Sequence, residues 1–307
     1  MTVPRVFVGP AFDAAVAEAV RRAGGEIAET AADANALAWL DWERDRKAEL
    51  AHVLHSGITW VQLPSAGIDG WIDAGVVDGR RTWTTASQAY APIVAEHALS
   101  LMLAGCRRLA EAARARSWDG SMQGGTLRGA TVAVIGAGSI GRALIGMLGP
   151  LGAEAIAVTR SGREVEGARE SVATARRSSV WPRADVVVLC APATAETRHL
   201  VDEAALAAMP EHAWLVNVGR GSLVDTDALV RALDDGAIAG AALDVVDPEP
   251  LPDGHPLWTH PRALITPHVA SPDAVAARAL ADLVGENVAR IIAGEAPLGV
   301  VDLARGY

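Results

Sequence analysis

Val132-Ala133-Val134-Ile135, running directly into Gly136-Ala137-Gly138-Ser139-Ile140-Gly141, is the stretch on which the fold turns. Four apolar residues in a row predict a strand buried on both faces. The glycines that follow turn this strand into a helix. The first permits the tight turn, the second lets the backbone approach a pyrophosphate, and the third lets helix and strand pack closely. Ser139 and Ile140 then open a helix whose free N–H groups and positive dipole end suit phosphate groups. A bare G-x-G-x-x-G is weak evidence, and the strand–turn–helix context is what predicts a dinucleotide cradle.

Working downstream, the apolar runs Ala155–Val158, Asp185–Leu189, Ala213–Val216, Ala239–Leu243 and Ala263–Ile265 bring this unit to six strands. Helical segments lie between them, the pattern of a parallel, doubly wound sheet. Upstream, strands at Arg5–Val8, Ala36–Leu40, Thr59–Leu63 and near Trp83 alternate with helices at 12–23 and Ala48–Leu54. A long helix is expected over 92–116, with Pro92 in its first turn. A polar, glycine-rich connector follows at Ser117–Arg128, and a last helix runs from Pro272 to about Gly294. The expected fold class is α/β, with two doubly wound parallel-sheet domains and a cleft between them. One is a Rossmann-type dinucleotide-binding domain at 98–271; the other is a flavodoxin-like substrate domain, discontinuous, at 1–97 and 272–307.

Composition narrows the possibilities. The 307 residues suffice for two domains with sizeable cores. Half of them are hydrophobic and mean hydropathy is +0.21, but the Ala and Val are spread through periodic elements. On the sequence, no apolar stretch approaches the roughly 18 to 20 residues of a membrane helix, so no membrane partner is expected. The N-terminal segment Met1–Arg5 leads straight into a strand with no signal-peptide pattern, and a cytoplasmic location is the expectation. A net charge of −10 argues against a nucleic-acid surface. Two cysteines are too few for a disulfide framework or a cysteine metal cluster, and His52 and His55 lack the carboxylates that would complete a metal site.

Three segments of one construction carry the chemistry. Ala213–Val216 leads to Asn217-Val218-Gly219-Arg220-Gly221; Ala241–Val246 leads to Glu249; Ala263–Pro267 leads to His268. An arginine, a carboxylate and a histidine therefore each follow a strand, and in a parallel sheet those strand ends share the ligand-binding edge. Arg220, flanked by glycines, offers a planar, permanently charged fork for a carboxylate and a polarised carbonyl. His268 can deliver or accept a proton near neutral pH.

The strand ending at Val158 predicts which dinucleotide binds. An acid there would bond ribose hydroxyls, but the chain reads Thr159-Arg160-Ser161-Gly162-Arg163. Arginine attracts a doubly charged 2′-phosphate, and the two hydroxyls can donate to it, so NADP(H) is favoured over NAD(H). The competing account makes Arg160 a solvated loop charge and binding unselective.

These motifs, in this order, resemble the D-isomer-specific 2-hydroxyacid dehydrogenases. The resemblance rests on residues 136–141, 217–225, 242–252 and 266–270 and spans nearly the whole chain. Pro256-Leu257-Trp258, His260-Pro261 and the ending Val301–Tyr307 are similar to the short glyoxylate/hydroxypyruvate reductase A type. It implies reduction of a small 2-keto acid to a D-2-hydroxy acid, in a homodimer. Arg220 would clamp the substrate, and Glu249 would orient and charge His268, the proton donor and acceptor. Asp244 would meet the nicotinamide end of the cofactor, Ala191 and Pro192 its adenosine side, with Val218 also on the cofactor. Ala66 and Gly67 would offer backbone N–H groups to the substrate carboxylate. Trp39 would be an aromatic near the substrate, although core packing accounts for it almost equally well. Asp244 could instead serve only to bond local backbone at a strand end. Two alternatives stay open: a dehydrogenase for a bulkier D-2-hydroxy acid, and a non-catalytic dinucleotide-sensing module.

Overall fold

The computed structural model describes residues 3–41 and 44–306; Met1, Thr2, Trp42, Glu43 and Tyr307 lie outside the described residues. Buried apolar runs become strands, and amphipathic runs between them become helices. In chain order these are β1 (Arg5–Gly9), α1 (Ala14–Arg22), β2 (Glu26–Ile27), β3 (Ala36–Trp39), α2 (Arg44–Val53), β4 (Trp60–Gln62), α3 (Asp69–Asp73) and β5 (Thr82–Thr84). Then come α4 (Ser87–Cys106), α5 (Leu109–Arg114), β6 (Thr131–Ile135), α6 (Ser139–Leu148), β7 (Glu154–Thr159), β8 (Glu170–Ala173) and β9 (Val186–Leu189). The chain continues with α7 (Glu203–Ala208), β10 (Trp214–Asn217), α8 (Thr226–Asp234), β11 (Gly240–Leu243), β12 (Ala263–Ile265) and α9 (Asp273–Ala293). Short 3-10 turns join several of them.

The chain divides into two units, Met1–Tyr90 with Pro272–Tyr307, and Ala91–Ser271. The first boundary falls at Tyr90, not at residue 97. Both positions lie inside α4, which runs on without a break, so no linker composition marks the division.

The first unit holds a parallel sheet in the order β2-β1-β3-β4-β5. This is the flavodoxin-like order. Its core gathers Leu37, Trp39, Leu50, Val61, Leu63, Trp71 and Trp83. Trp39 belongs to this core at 1% exposure. β3 lies between β1 and β4 and all four of its residues are buried, in keeping with the core-packing account of Trp39, and the Trp39 indole N–H has no partner among the described residues. A buried polar chain ties α9 to the sheet. Asn287 Nδ2 donates to Gln62 Oε1 (3.0 Å) and to the Leu298 carbonyl (3.2 Å), and Asn287 Oδ1 accepts from Leu298 N–H (2.6 Å). Gln62 Oε1 also accepts from Thr84 Oγ1, which accepts from Trp60 Nε1.

The second unit is built on a seven-stranded parallel sheet, β12-β11-β10-β9-β6-β7-β8. Its middle strands are buried on both faces, as parallel sheets require. The chain moves from β6 outward to β7 and β8, then returns to β9 on the other side. The switch point lies between β6 and β9, where Cys190 N–H bonds the Ile135 carbonyl.

Two strands have no counterpart in the sequence analysis. β2 has only two residues, and β8 is an edge strand whose pattern Glu-Ser-Val-Ala contains no apolar run. The helix expected over 92–116 begins at Ser87, places Pro92 inside α4, and breaks at Arg108, which adopts φ +53°. At 20 residues, α4 is long and apolar enough to cross a membrane by length and composition, contrary to the expectation from the sequence. Of its apolar window, 44% is buried against the rest of the chain.

Removing Asn287 should test the polar tie in the first unit. Asn287→Ala takes the side-chain partner from both the Leu298 carbonyl and the Leu298 N–H, removes one of the two donors to Gln62 Oε1, and should destabilise the protein by about 1–3 kcal/mol. Urea denaturation measures this, and an unchanged midpoint would show that the tie contributes nothing.

Candidate active site

All parallel strands of the second unit end on one edge, and the glycine turn, Arg160, Arg220 and His268 follow those ends. After β6, Gly136 adopts φ +92°, and a Cβ there would come within 2.6 Å of Ala191 backbone atoms. Only glycine fits such a turn. Gly141 packs equally closely, since its Cβ would stand 2.7 Å from the Gly136 carbonyl oxygen. Gly138 differs: nothing lies within 4 Å of the position its Cβ would take. Gly138 caps α6 without a side chain, and among the described residues the Ser139 and Ile140 N–H groups make no bond. Open space in front of uncapped N–H groups fits a pyrophosphate.

At the end of β7, Arg160 and Ser161 are exposed, and the Thr159 hydroxyl is buried with no partner among the described residues. A hydroxyl and a guanidinium can both donate to a phosphate. Ala191 and Val218 are buried and Pro192 is half-buried, after β9 and β10. Burial pushes the neighbouring Cys190 thiol up to about 12, which leaves it no nucleophilic role.

Arg220 is shaped by its neighbours. Asn217, 1% exposed, accepts from Gly219 N–H (3.0 Å) and donates to the Arg220 carbonyl (2.9 Å), closing the turn. A Cβ on Gly221 would overlap the Val246 carbonyl, so the glycine after the arginine reflects close backbone packing. Arg220 Nη1 donates to the Gly219 carbonyl at 2.9 Å.

His268 adopts φ +53°, a left-handed conformation that side chains with a Cβ rarely take. Its N–H donates to the Asp244 carbonyl (2.8 Å) and the Thr266 carbonyl (3.0 Å). Its Nδ1 lies 2.6 Å from Glu249 Oε1. The bond to Glu249 holds the imidazole above its ordinary pKa, against burial and the positive charge of Arg220, which pull it down. Glu249 and Arg220 thus both act electrostatically on His268.

Asp244 bonds local backbone just after β11. Its side chain is 1% exposed, and both oxygens are engaged. Oδ1 accepts from Thr266 Oγ1 (2.6 Å) and Val269 N–H (3.0 Å), and Oδ2 from Ala270 N–H (3.1 Å). His97 Nε2 stands 3.2 Å from Oδ1. Burial pushes this carboxyl up, but the bonds from His97, Thr266 and Val269 outweigh it and hold it below the usual carboxylate range. The carboxylate thus serves the turn that carries His268.

Ala66 and Gly67 lie in the first unit, between β4 and α3. Ser65 Oγ bonds the Gly67 carbonyl (2.6 Å), and among the described residues the Ala66 and Gly67 N–H groups make no bond. A cavity of about 890 Å3 in the second unit lies at the opposite edge of the sheet, lined by Arg128, Asp185, Trp214 and Arg262, away from these residues. Among the described residues no three His, Cys, Asp or Glu side chains are grouped to hold a metal ion. The sequence analysis gave no role to His97, Asn217 or Thr266. Asn217 and Thr266 stand within motifs already singled out. His97 carries no local signal, because Thr266 is 169 residues away in the chain.

A doubly wound sheet with a phosphate-ready glycine turn, an arginine and a Glu–His pair on one edge defines a nucleotide-dependent enzyme of the dehydrogenase class. Residues 99–270 match the family described as "D-isomer specific 2-hydroxyacid dehydrogenase, NAD binding domain", and the chain belongs to that family of NAD(P)-dependent oxidoreductases. An uncharacterized protein of Corynebacterium melassecola is 43% identical over 83% of this chain and 85% of its own length. A glyoxylate reductase of Thermofilum pendens is 36% identical over 68% of this chain, and the match spans 64% of that relative. Among solved structures, a family member from Xanthobacter autotrophicus Py2 in complex with NADPH and MES has a TM-score of 0.84 at 27% identity, each chain covered in full. An NADPH-dependent glyoxylate/hydroxypyruvate reductase of Sinorhizobium meliloti, in complex with NADP and sulfate, has a TM-score of 0.79 at 25% identity, over 99% of this chain and 100% of its own.

The contrast between two glycines of the turn can be tested directly. Gly136→Ala should cost about 2 kcal/mol or more of stability through backbone strain and overlap. Gly138→Ala should leave stability within about 0.5 kcal/mol yet weaken NADPH binding about tenfold or more. Urea unfolding and calorimetric titration measure the two effects. Equal effects of both substitutions would contradict the cradle.

Proposed function

We propose that this chain reduces a small 2-keto acid of the glyoxylate or hydroxypyruvate kind to the D-2-hydroxy acid, and favours NADP(H) over NAD(H). The observation that carries the reading is the 2.6 Å contact between His268 and Glu249, on the same sheet edge as Arg220 and the glycine turn. The glyoxylate reductase name of the Thermofilum relative supports the substrate class. The NADPH and NADP of the Xanthobacter and Sinorhizobium neighbours support the cofactor, together with Arg160 and the absence of an acid at the end of β7.

Gly136, Gly138, Ser139, Ile140 and Gly141 would hold the pyrophosphate, and Thr159, Arg160 and Ser161 the 2′-phosphate. Ala191, Pro192 and Val218 would line the rest of the cofactor. When bound, the nicotinamide supplies the hydride. Arg220 would bind the keto-acid oxygens and polarise the carbonyl, favouring charge that develops on oxygen. Glu249 binds Nδ1 of His268, leaves Nε2 to deliver the proton, and stabilises the imidazolium before transfer. Ala66 and Gly67 would donate N–H groups to the substrate carboxylate. The exposed side chains of Leu103, Leu109 and Trp118 support a homodimer, which light scattering would test.

His268→Ala should lower kcat for reduction by about a hundred- to ten-thousandfold while sparing NADPH binding; near-normal turnover would remove His268 as the acid. For reduction the active form is protonated, so kcat/KM should fall as pH rises through the raised pKa of His268. Glu249→Gln removes the main cause of that rise, and the alkaline limb should move to lower pH. A limb that stays in place would sever Glu249 from the proton donor. Wild type should favour NADPH over NADH by about tenfold or more in kcat/KM, and Arg160→Ala should erase most of this. A tenfold preference for NADH would overturn the cofactor assignment, and a substrate panel reaching to branched 2-keto acids would expose a bulkier substrate.

A further inference from the structure

We propose that His97 of α4 is a positioning residue: through Asp244 and Thr266 it holds the turn that carries His268, and so keeps that imidazole against Glu249. This rests on the reading of His268 as the proton donor.

Proton accounting fixes the direction of each bond. His97 Nε2 lies 3.1 Å from Thr266 Oγ1 and 3.2 Å from Asp244 Oδ1. Thr266 gives its single hydroxyl proton to Asp244 Oδ1 at 2.6 Å. The ionised carboxylate of Asp244 only accepts. Nε2 of His97 therefore carries a hydrogen and donates to both oxygens. Asp244, with a side chain 1% exposed, needs donors to remain charged. Among the described residues it has four: the Thr266 hydroxyl, the Val269 and Ala270 N–H groups, and His97. Three of them belong to residues 266–270, the turn in which His268 adopts φ +53°. His97 is the donor from outside the turn, on a helix where the neighbouring Ala95 and Ala98 are fully buried. Packing alone at that position would be met by an apolar side chain, whereas a ring aimed at a buried carboxylate serves the carboxylate. The charged groups acting on His268 are Glu249, Arg220 and Asp244, and the polar groups facing His97 are Asp244 and Thr266.

The test uses the full-length protein as wild type, His97→Phe, His97→Gln and His97→Asn. A glutamine amide can place an N–H where Nε2 stands; an asparagine amide reaches only to the level of Nδ1. His97→Phe should lower kcat about tenfold or more through misplacement of His268, with NADPH affinity unchanged within about threefold. His97→Gln should restore most of the loss and His97→Asn should not. In NMR titration of the protein without substrate, His268 should titrate at lower pH in His97→Phe than in wild type, because its contact with Glu249 loosens. An unchanged His268 titration, or equal behaviour of the Gln and Asn variants, would overturn the proposal. If His97→Phe does not fold, the Gln and Asn pair decides by the same two readouts. Should wild type reduce no 2-keto acid, the proposed function fails, while the NMR titration still decides whether His97 positions His268.

Discussion

A carboxylate shut away from water must be answered by donors, and the buried Asp244 is the constraint on which the reactive edge depends. Leaving such an ion without bonds would be prohibitively costly. Its oxygens take hydrogen bonds from the turn after β12 and from α4, and its own carbonyl accepts from His268 N–H. This arrangement offsets the unfavourable left-handed backbone of His268. The imidazole is half exposed, 53% for its side chain, and yet oriented, because its backbone is held from beneath. Accessibility and fixed orientation normally conflict, and a buried anion behind an exposed ring reconciles them.

The rest of the edge follows from parallel topology. Five of the seven strands of the second unit's sheet deliver residues to the same side: Gly136 after β6, Arg160 after β7, Ala191 after β9, Arg220 after β10, Thr266 and His268 after β12. Glycine appears where backbones crowd. Gly136 presses on Ala191 and Gly221 on Val246, so the two glycine-rich loops close down on their neighbours, while Gly138 faces open space. Packing and ligand approach thus use the same residue type for opposite reasons.

The parts of this arrangement visible in the sequence are those with a local signature. The glycine turn, the strands of four or more apolar residues, Arg220 between glycines, and the order of motifs all depend on neighbours a few positions apart. β2 and β8 escaped because an edge strand need not be apolar, and two or four residues give no periodicity. Trp39 was ambiguous because an aromatic at a strand end suits a core or a ligand equally, and only the pairing of β3 on both sides places it inside. Asp244 was visible as an acid at a strand end, but its four donors were not. His97 was invisible, since its significance rests on a partner 169 residues away.

The central claim is that Arg220 and His268 act on one substrate oxygen. A crystal structure of the protein with NADP and oxamate, an unreactive relative of a 2-keto acid, tests it most directly. The account predicts the guanidinium of Arg220 and Nε2 of His268 within hydrogen-bond distance of the same amide carbonyl oxygen, with Glu249 still on Nδ1. Oxamate bound away from both side chains, or His268 turned from it while Glu249 bonds elsewhere, would contradict the account.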